Sequence, residues 1–243
     1  MNSKNLTALI LSLGMVATLT ACEEQSEKDM IAEAQFCLDK ASSSASVNSC
    51  LSGIASLNSA QANALRCAGG FIGSGVASAE NLSNAITSIQ NGGNSVTLLT
   101  ALSLDDVTLA NNTANYCALS KQADLALFGA MAKSATVLAN AAKDLGSCAS
   151  ISTCDTTQIT TTINDLIADL QGGTPTQGAM DTVEAIATSV QTVYTSTCGA
   201  NSSSNQDICG PINSALVDAG ININTTNTQD LIDLGLALLN QWK

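Results

Sequence analysis

Eight cysteines lie between residues 37 and 209 of this 243-residue chain, which has no histidine. They restrict the fold more than any other feature. An even set of thiols that fits no zinc-ligand spacing is satisfied by disulfides in an oxidising compartment. Cys37 and Cys50, Cys148 and Cys154, and Cys198 and Cys209 enclose short polar stretches. Each pair is expected to staple an αα-hairpin, with one helix ending near the first cysteine and the next opening at the second. Cys67 and Cys117 then remain and would join helices far apart in sequence. Counting alone leaves many connectivities open, and a Cys37–Cys67 link would reject this one. In the chain-entropy picture the long closure by Cys67 and Cys117 contributes most, on the order of 4 kcal/mol.

The residues between the cysteines predict an all-α fold. Aromatic residues are sparse, limited to Phe36, Phe71, Tyr116, Phe128, Tyr194 and Trp242. The core must therefore come from Ala, Leu, Ile and Val, whose small volumes let helices approach closely. Only Pro175 and Pro211 punctuate the chain, so long helices can form. Apolar spacing of three and four predicts helices over Asp29–Lys40, Ser46–Leu57, Ala60–Ser78, Ala79–Gln90, Ser95–Leu104, Thr176–Thr195, Ile208–Ala219 and Thr228–Trp242. Ser59 is expected to cap the third, and Asp155 a helix running to about Leu170. The longest pattern runs from Asp105 to Leu145, with Gly146 as its C-terminal stop. This predicts a disulfide-stapled bundle of about seven to nine helices around one long amphipathic helix. The glycines Gly69, Gly70, Gly73 and Gly75 invite a phosphate-loop reading. No Lys-Ser/Thr pair follows them and no strand precedes them, so a helix break or close helix crossing is expected.

The N-terminal segment assigns an address. Lys4 is followed by an uncharged apolar run from Leu6 to Thr20, too short for a membrane helix of about 20 apolar residues. It ends in Leu19-Thr20-Ala21-Cys22, an aliphatic residue, two small residues and a cysteine. This resembles the lipobox of bacterial lipoproteins, over residues 1–22 only. The resemblance implies a signal peptide at 1–21, cleavage before Cys22, and acyl chains on Cys22. It also implies the outer membrane, because Glu23 stands where lipoproteins kept in the inner membrane typically carry Asp. Residues 22–28 would form a lipidated tether and 29–243 a helical domain, with a subdomain division allowed near 146–154 or 171–176.

Charge and composition exclude several chemistries. Residues 22–243 keep all 20 acids and, with Lys4 gone, seven of the eight bases, a balance of −13. That sign opposes binding to nucleic acid or anionic lipid by charge. Without histidine there is no Ser-His-Asp triad and no histidine-ligated metal. Arg66 is the sole arginine, so a bidentate phosphate clamp is not expected. Ser120 and Lys121 are adjacent, and on a helix would not face each other. Carboxylates remain. Asp165 with Asp169, and Asp181 with Glu184, have helical spacings that place each pair on one face. A sugar site would also want aromatic platforms, so solvated helix faces are the expectation. Asp105 and Asp106 lack EF-hand spacing and suit a helix N-terminus.

These features predict a non-catalytic envelope lipoprotein with no cofactor and no metal. Its partners would be the membrane, through Cys22, and a protein of the envelope. The alternative is a periplasmic carrier holding a lipid or small apolar ligand between alanine-rich helices. A carboxylate hydrolase using Asp181 and Glu184 ranks third.

Overall fold

The computed structural model describes residues 26–76, 95–198 and 206–242. The expected helix over Ala79–Gln90, and Cys22 with its tether, lie outside these residues. The described residues are all-α. The helices are α1 (Glu27–Leu38), α2 (Ser44–Leu51), α3 (Ala60–Gly73), α4 (Ser95–Leu102) and α5 (Val107–Leu119). They continue as α6 (Ala123–Asp144), α7 (Thr156–Gln171), α8 (Gln177–Thr197), α9 (Gln206–Ala219) and α10 (Thr228–Trp242).

Local chemistry starts most of them. Ser59 accepts from the Ala62 amide, Asp106 from Leu109 at 2.8 Å, and Thr176 from Ala179. Each satisfies an amide that the first helical turn leaves without a partner. At α7 the exchange is reciprocal. The Asp155 carboxylate accepts from the Gln158 amide, and the Gln158 side chain accepts from the Asp155 amide, both at 2.8 Å. Gly146 ends α6 in the left-handed region at φ 77°. Its amide reaches the Lys143 carbonyl and the next amide, Ser147, reaches Ala142, closing both orphan acceptors.

The expected continuous helix from Asp105 to Leu145 is two helices. Ser120 is buried, donates its hydroxyl to the Cys117 carbonyl at 2.6 Å and accepts from the Gln122 amide. Lys121 then takes the left-handed conformation at φ 59°. The chain turns back, and α5 and α6 pack side by side. A lysine held there carries a steric cost of roughly 1–2 kcal/mol that glycine lacks. Lys121→Gly is therefore expected to raise the urea midpoint, by about 1 kcal/mol of stability after the added flexibility of the unfolded chain is subtracted. Other boundaries shift less. The second predicted helix stops at Leu51 and continues as a 3-10 turn over Ser52–Ile54. Because α9 begins at Gln206 rather than Ile208, Pro211 lies past its first turn.

Helix α6 is the central element. It packs most extensively against α5 and α8 and also touches α4 and α7. Its length and apolar composition would suit a membrane span, but twelve of its 22 residues are buried within the bundle. Thr136 secures it to the chain before α5. The wholly buried Thr136 hydroxyl donates to Ala132 and accepts from the Leu104 amide at 2.8 Å. The main core runs from Val76 to Leu239 and draws on α4 through α10, with Leu138, Ile163, Ile186, Leu234 and Leu239 fully enclosed. None of the six aromatic side chains is fully buried. Two smaller clusters sit apart, around Ile54 and Ala62 and around Leu38 and Val47.

Lys133 is an exception on this apolar helix. Partial burial lowers its pKa below the ordinary 10.5. The unfolded chain then holds the proton more tightly than the folded one, so stability rises with pH between the lowered value and 10.5. Lys133→Met is expected to stabilise the protein at neutral pH and to flatten that alkaline rise, as read from urea midpoints at pH 7 and pH 10.

Candidate functional site

The sulfurs pair as Cys37–Cys50, Cys67–Cys117, Cys148–Cys154 and Cys198–Cys209, with Cα separations of 5.4, 4.8, 5.2 and 5.7 Å. These separations fall in the range that a disulfide spans. Cys148–Cys154 bridges the short loop from α6 to α7, and Cys198–Cys209 the connection from α8 to α9. Cys50 does not open α2, as the spacing argument expected, but sits near its far end. That bridge therefore ties the ends of α1 and α2 together rather than closing the loop between them. No thiolate remains among the described cysteines.

One recess lies where α2, α3 and α5 meet. It is an open groove of about 420 Å³, lined by the apolar Val47, Leu51 and Leu109 and by Asn48, Arg66 and Tyr116. Its floor explains the glycines. A Cβ on Gly69 would meet Leu51 and Val47 at 2.8 and 2.9 Å, and one on Gly70 would collide with Thr113 of α5. Gly69 and Gly70 lie inside α3, where they let α2 and α5 come close, while Gly75 follows the helix at φ 74°.

Arg66 is the one cationic group in this groove, and its guanidinium is committed to the fold. Nη2 donates to the carbonyls of Ile54, Ala55 and Leu57 at 2.6, 3.1 and 2.7 Å, and Nη1 donates to Asn63 Oδ1 at 2.9 Å. The guanidinium also stands 5.4 Å from the Tyr116 ring centre, within cation–π range. The three carbonyls belong to the turn between α2 and α3, where Ile54 also accepts from the Leu57 amide at 3.0 Å. Charge-assisted bonds of this kind are the stronger class. Arg66→Ala should therefore destabilise by about 3 kcal/mol, through loss of the charge-assisted bonds that hold this turn to α3. Arg66→Lys should recover little, because an ammonium lacks the planar fork. Urea unfolding of the two variants checks this.

Two further grooves are open to solvent. One, of about 430 Å³, is lined by Ser74, Thr100, Ser103, Asp105, Ser152 and Asp155. The Ser103 hydroxyl there is enclosed and has no hydrogen-bond partner. The other, of about 480 Å³, lies between α8 and the loop before α10. Gln191 crosses it to donate to the Ile223 and Thr225 carbonyls. An enclosed recess between Leu99, Ala135 and Ile159 has no room for a water molecule.

Asp165, Asp169, Asp181 and Glu184 lie outside these recesses. Asp169 accepts from the Thr176 amide at 3.1 Å and from its hydroxyl at 2.5 Å, tying the end of α7 to the start of α8. Asp165 is exposed. Asp181 is exposed and accepts from Gln177 one turn earlier. Glu184 is half-buried on the same helix. Asp106 is the cap of α5, and Asp105 is exposed beside it. Among the described residues no three carboxylates or cysteines gather as a metal site. Ser120 and Lys121 stand at the α5–α6 turn, with the serine hydroxyl bound to backbone and the lysine exposed.

No protein-family model, no curated protein and no solved structure matches this chain.

Proposed function

We propose that this chain is a bacterial envelope lipoprotein, anchored through acyl chains on Cys22, whose helical part acts as a non-catalytic structural or interaction module. The observation that carries the reading is the ending Leu19-Thr20-Ala21-Cys22 after a short apolar run. A second observation supports it. The other eight cysteines pair among themselves, so Cys22 is the one cysteine left over. Four bridges also suit an exported protein, since reducing compartments rarely keep structural disulfides. The outer membrane is the favoured location, on the ground of Glu23. The partner is taken to be another envelope protein.

The non-catalytic part rests on how the polar groups are used. Arg66, Ser120, Asp155 and Asp169 are each engaged in closing helix ends or turns. The carrier alternative would want an enclosed apolar cavity, and the recess near Ala135 supplies no such space.

Mass spectrometry of the mature N-terminus tests the proposal. The expected first peptide begins at Cys22 and carries diacylglycerol and an amide-linked acyl chain. A peptide that still contains Met1, or an unmodified Cys22 thiol, would overturn it.

A further inference from the structure

We infer that α1, α2 and α3 form a separately folding module, latched to the main bundle, among the described residues, along the seam of α3 with α5 by the Cys67–Cys117 bond.

The packing divides there. Residues of α1, α2 and α3 fill the two small clusters around Ile54 and around Leu38, neither of which merges with the main core. The extensive contact across the divide is α3 against α5, with a minor touch of α3 on α6. Along that seam three neighbouring points meet. Arg66 stands by Tyr116, Cys67 is bonded to Cys117, and Gly70 abuts Thr113. Phe71 at the end of α3 adds a partly buried contact with the main core.

The module has its own means of holding together. Cys37–Cys50 crosslinks α1 to α2, and Arg66 pins the α2–α3 turn. A unit of this size lies near the lower limit for independent folding and ordinarily needs such a crosslink. Both sulfurs of the latch are fully buried, at 0% exposure, so a reductant cannot reach them until the seam parts. The bond thus fixes the module's position without being needed for either fold. This inference does not depend on lipidation at Cys22.

Calorimetry of the full chain, native and Cys67→Ala/Cys117→Ala, tests it. The native protein should unfold in one transition and the double variant in two, because the crosslink is what couples the parts. One transition in both proteins, or two in both, would overturn the latch. Should the alanine pair not accumulate, hydrogen exchange of Cys67→Ser/Cys117→Ser, in which the latch is likewise absent, decides in sub-denaturing urea. Residues 27–73 should then open as one unit, with protection differing at least about tenfold from that of α6, α8 and α10. Equal protection throughout would overturn the module.

Discussion

Serine in place of Cys22 should move the protein from the membrane fraction to the soluble fraction. The proposed anchor is the acyl chains on that sulfur and on the new amino terminus, and serine can start neither modification. Each buried methylene contributes about 0.8 kcal/mol, so one chain binds marginally while two or more bind firmly. Nothing else described would replace them. The mature chain carries a large negative charge, which opposes adsorption to anionic lipid. Helix α6, the one described helix apolar enough to span, is committed to the bundle interior. Fractionation of wild type and Cys22→Ser, with labelled palmitate as a second readout, decides the matter. A serine variant that stays with the membrane and still takes up label would contradict the anchor. The folded body should be unaffected, since its eight cysteines pair without Cys22.

Leucine in place of Gly235 should be the most damaging single change in the bundle. Helix propensity alone favours the change by about 1 kcal/mol, because glycine is a poor helix former. Packing opposes it. Gly235 is buried on α10 against α8, and a Cβ there would run into the Val183 side chain and its backbone carbonyl. A flexible side chain could swing away, but a carbonyl in the middle of α8 cannot. The two helices would have to separate and open the core around Leu234, Leu238 and Ile186. Overpacking of this kind costs roughly 1–3 kcal/mol, and a leucine pressed against backbone belongs at or above the top of that range. Gly235→Ala gives the finer test. Despite alanine's better propensity it should lower the urea midpoint, and a rise would show that α10 can shift at no cost.

What the sequence revealed, and what it hid, follows from the range of each interaction. Caps were legible because they are local. Ser59, Asp106 and Asp155 bind amides within three residues, and their neighbours already advertise the turn. The helical stretches were legible because an apolar stripe is a property of one segment. The break at Ser120 was not. Leu119, Ala123 and Leu127 keep helical spacing straight through the turn, so periodicity passes over a residue whose hydroxyl ends the helix. Arg66 shows the other limit. Its being the sole arginine argued against a phosphate clamp but named no partner, and its actual partners are carbonyls 9 to 12 residues away, brought back by the turn into α3. Asp169 likewise reads as half of a carboxylate pair, yet it serves the next helix. The glycines of α3 had to be judged by what faces them, and Thr113 of α5 lies far along the chain.

The lack of any fully buried aromatic side chain decides how this molecule can be watched as it melts. The sole indole, Trp242, is at the end of α10, partly enclosed by the main core. Emission is thus a gauge of that one corner, silent about events some two hundred residues upstream. Ellipticity in the far ultraviolet counts every helix alike. A protein whose two ends let go together would trace the same curve by both methods, and one whose ends let go in turn would not.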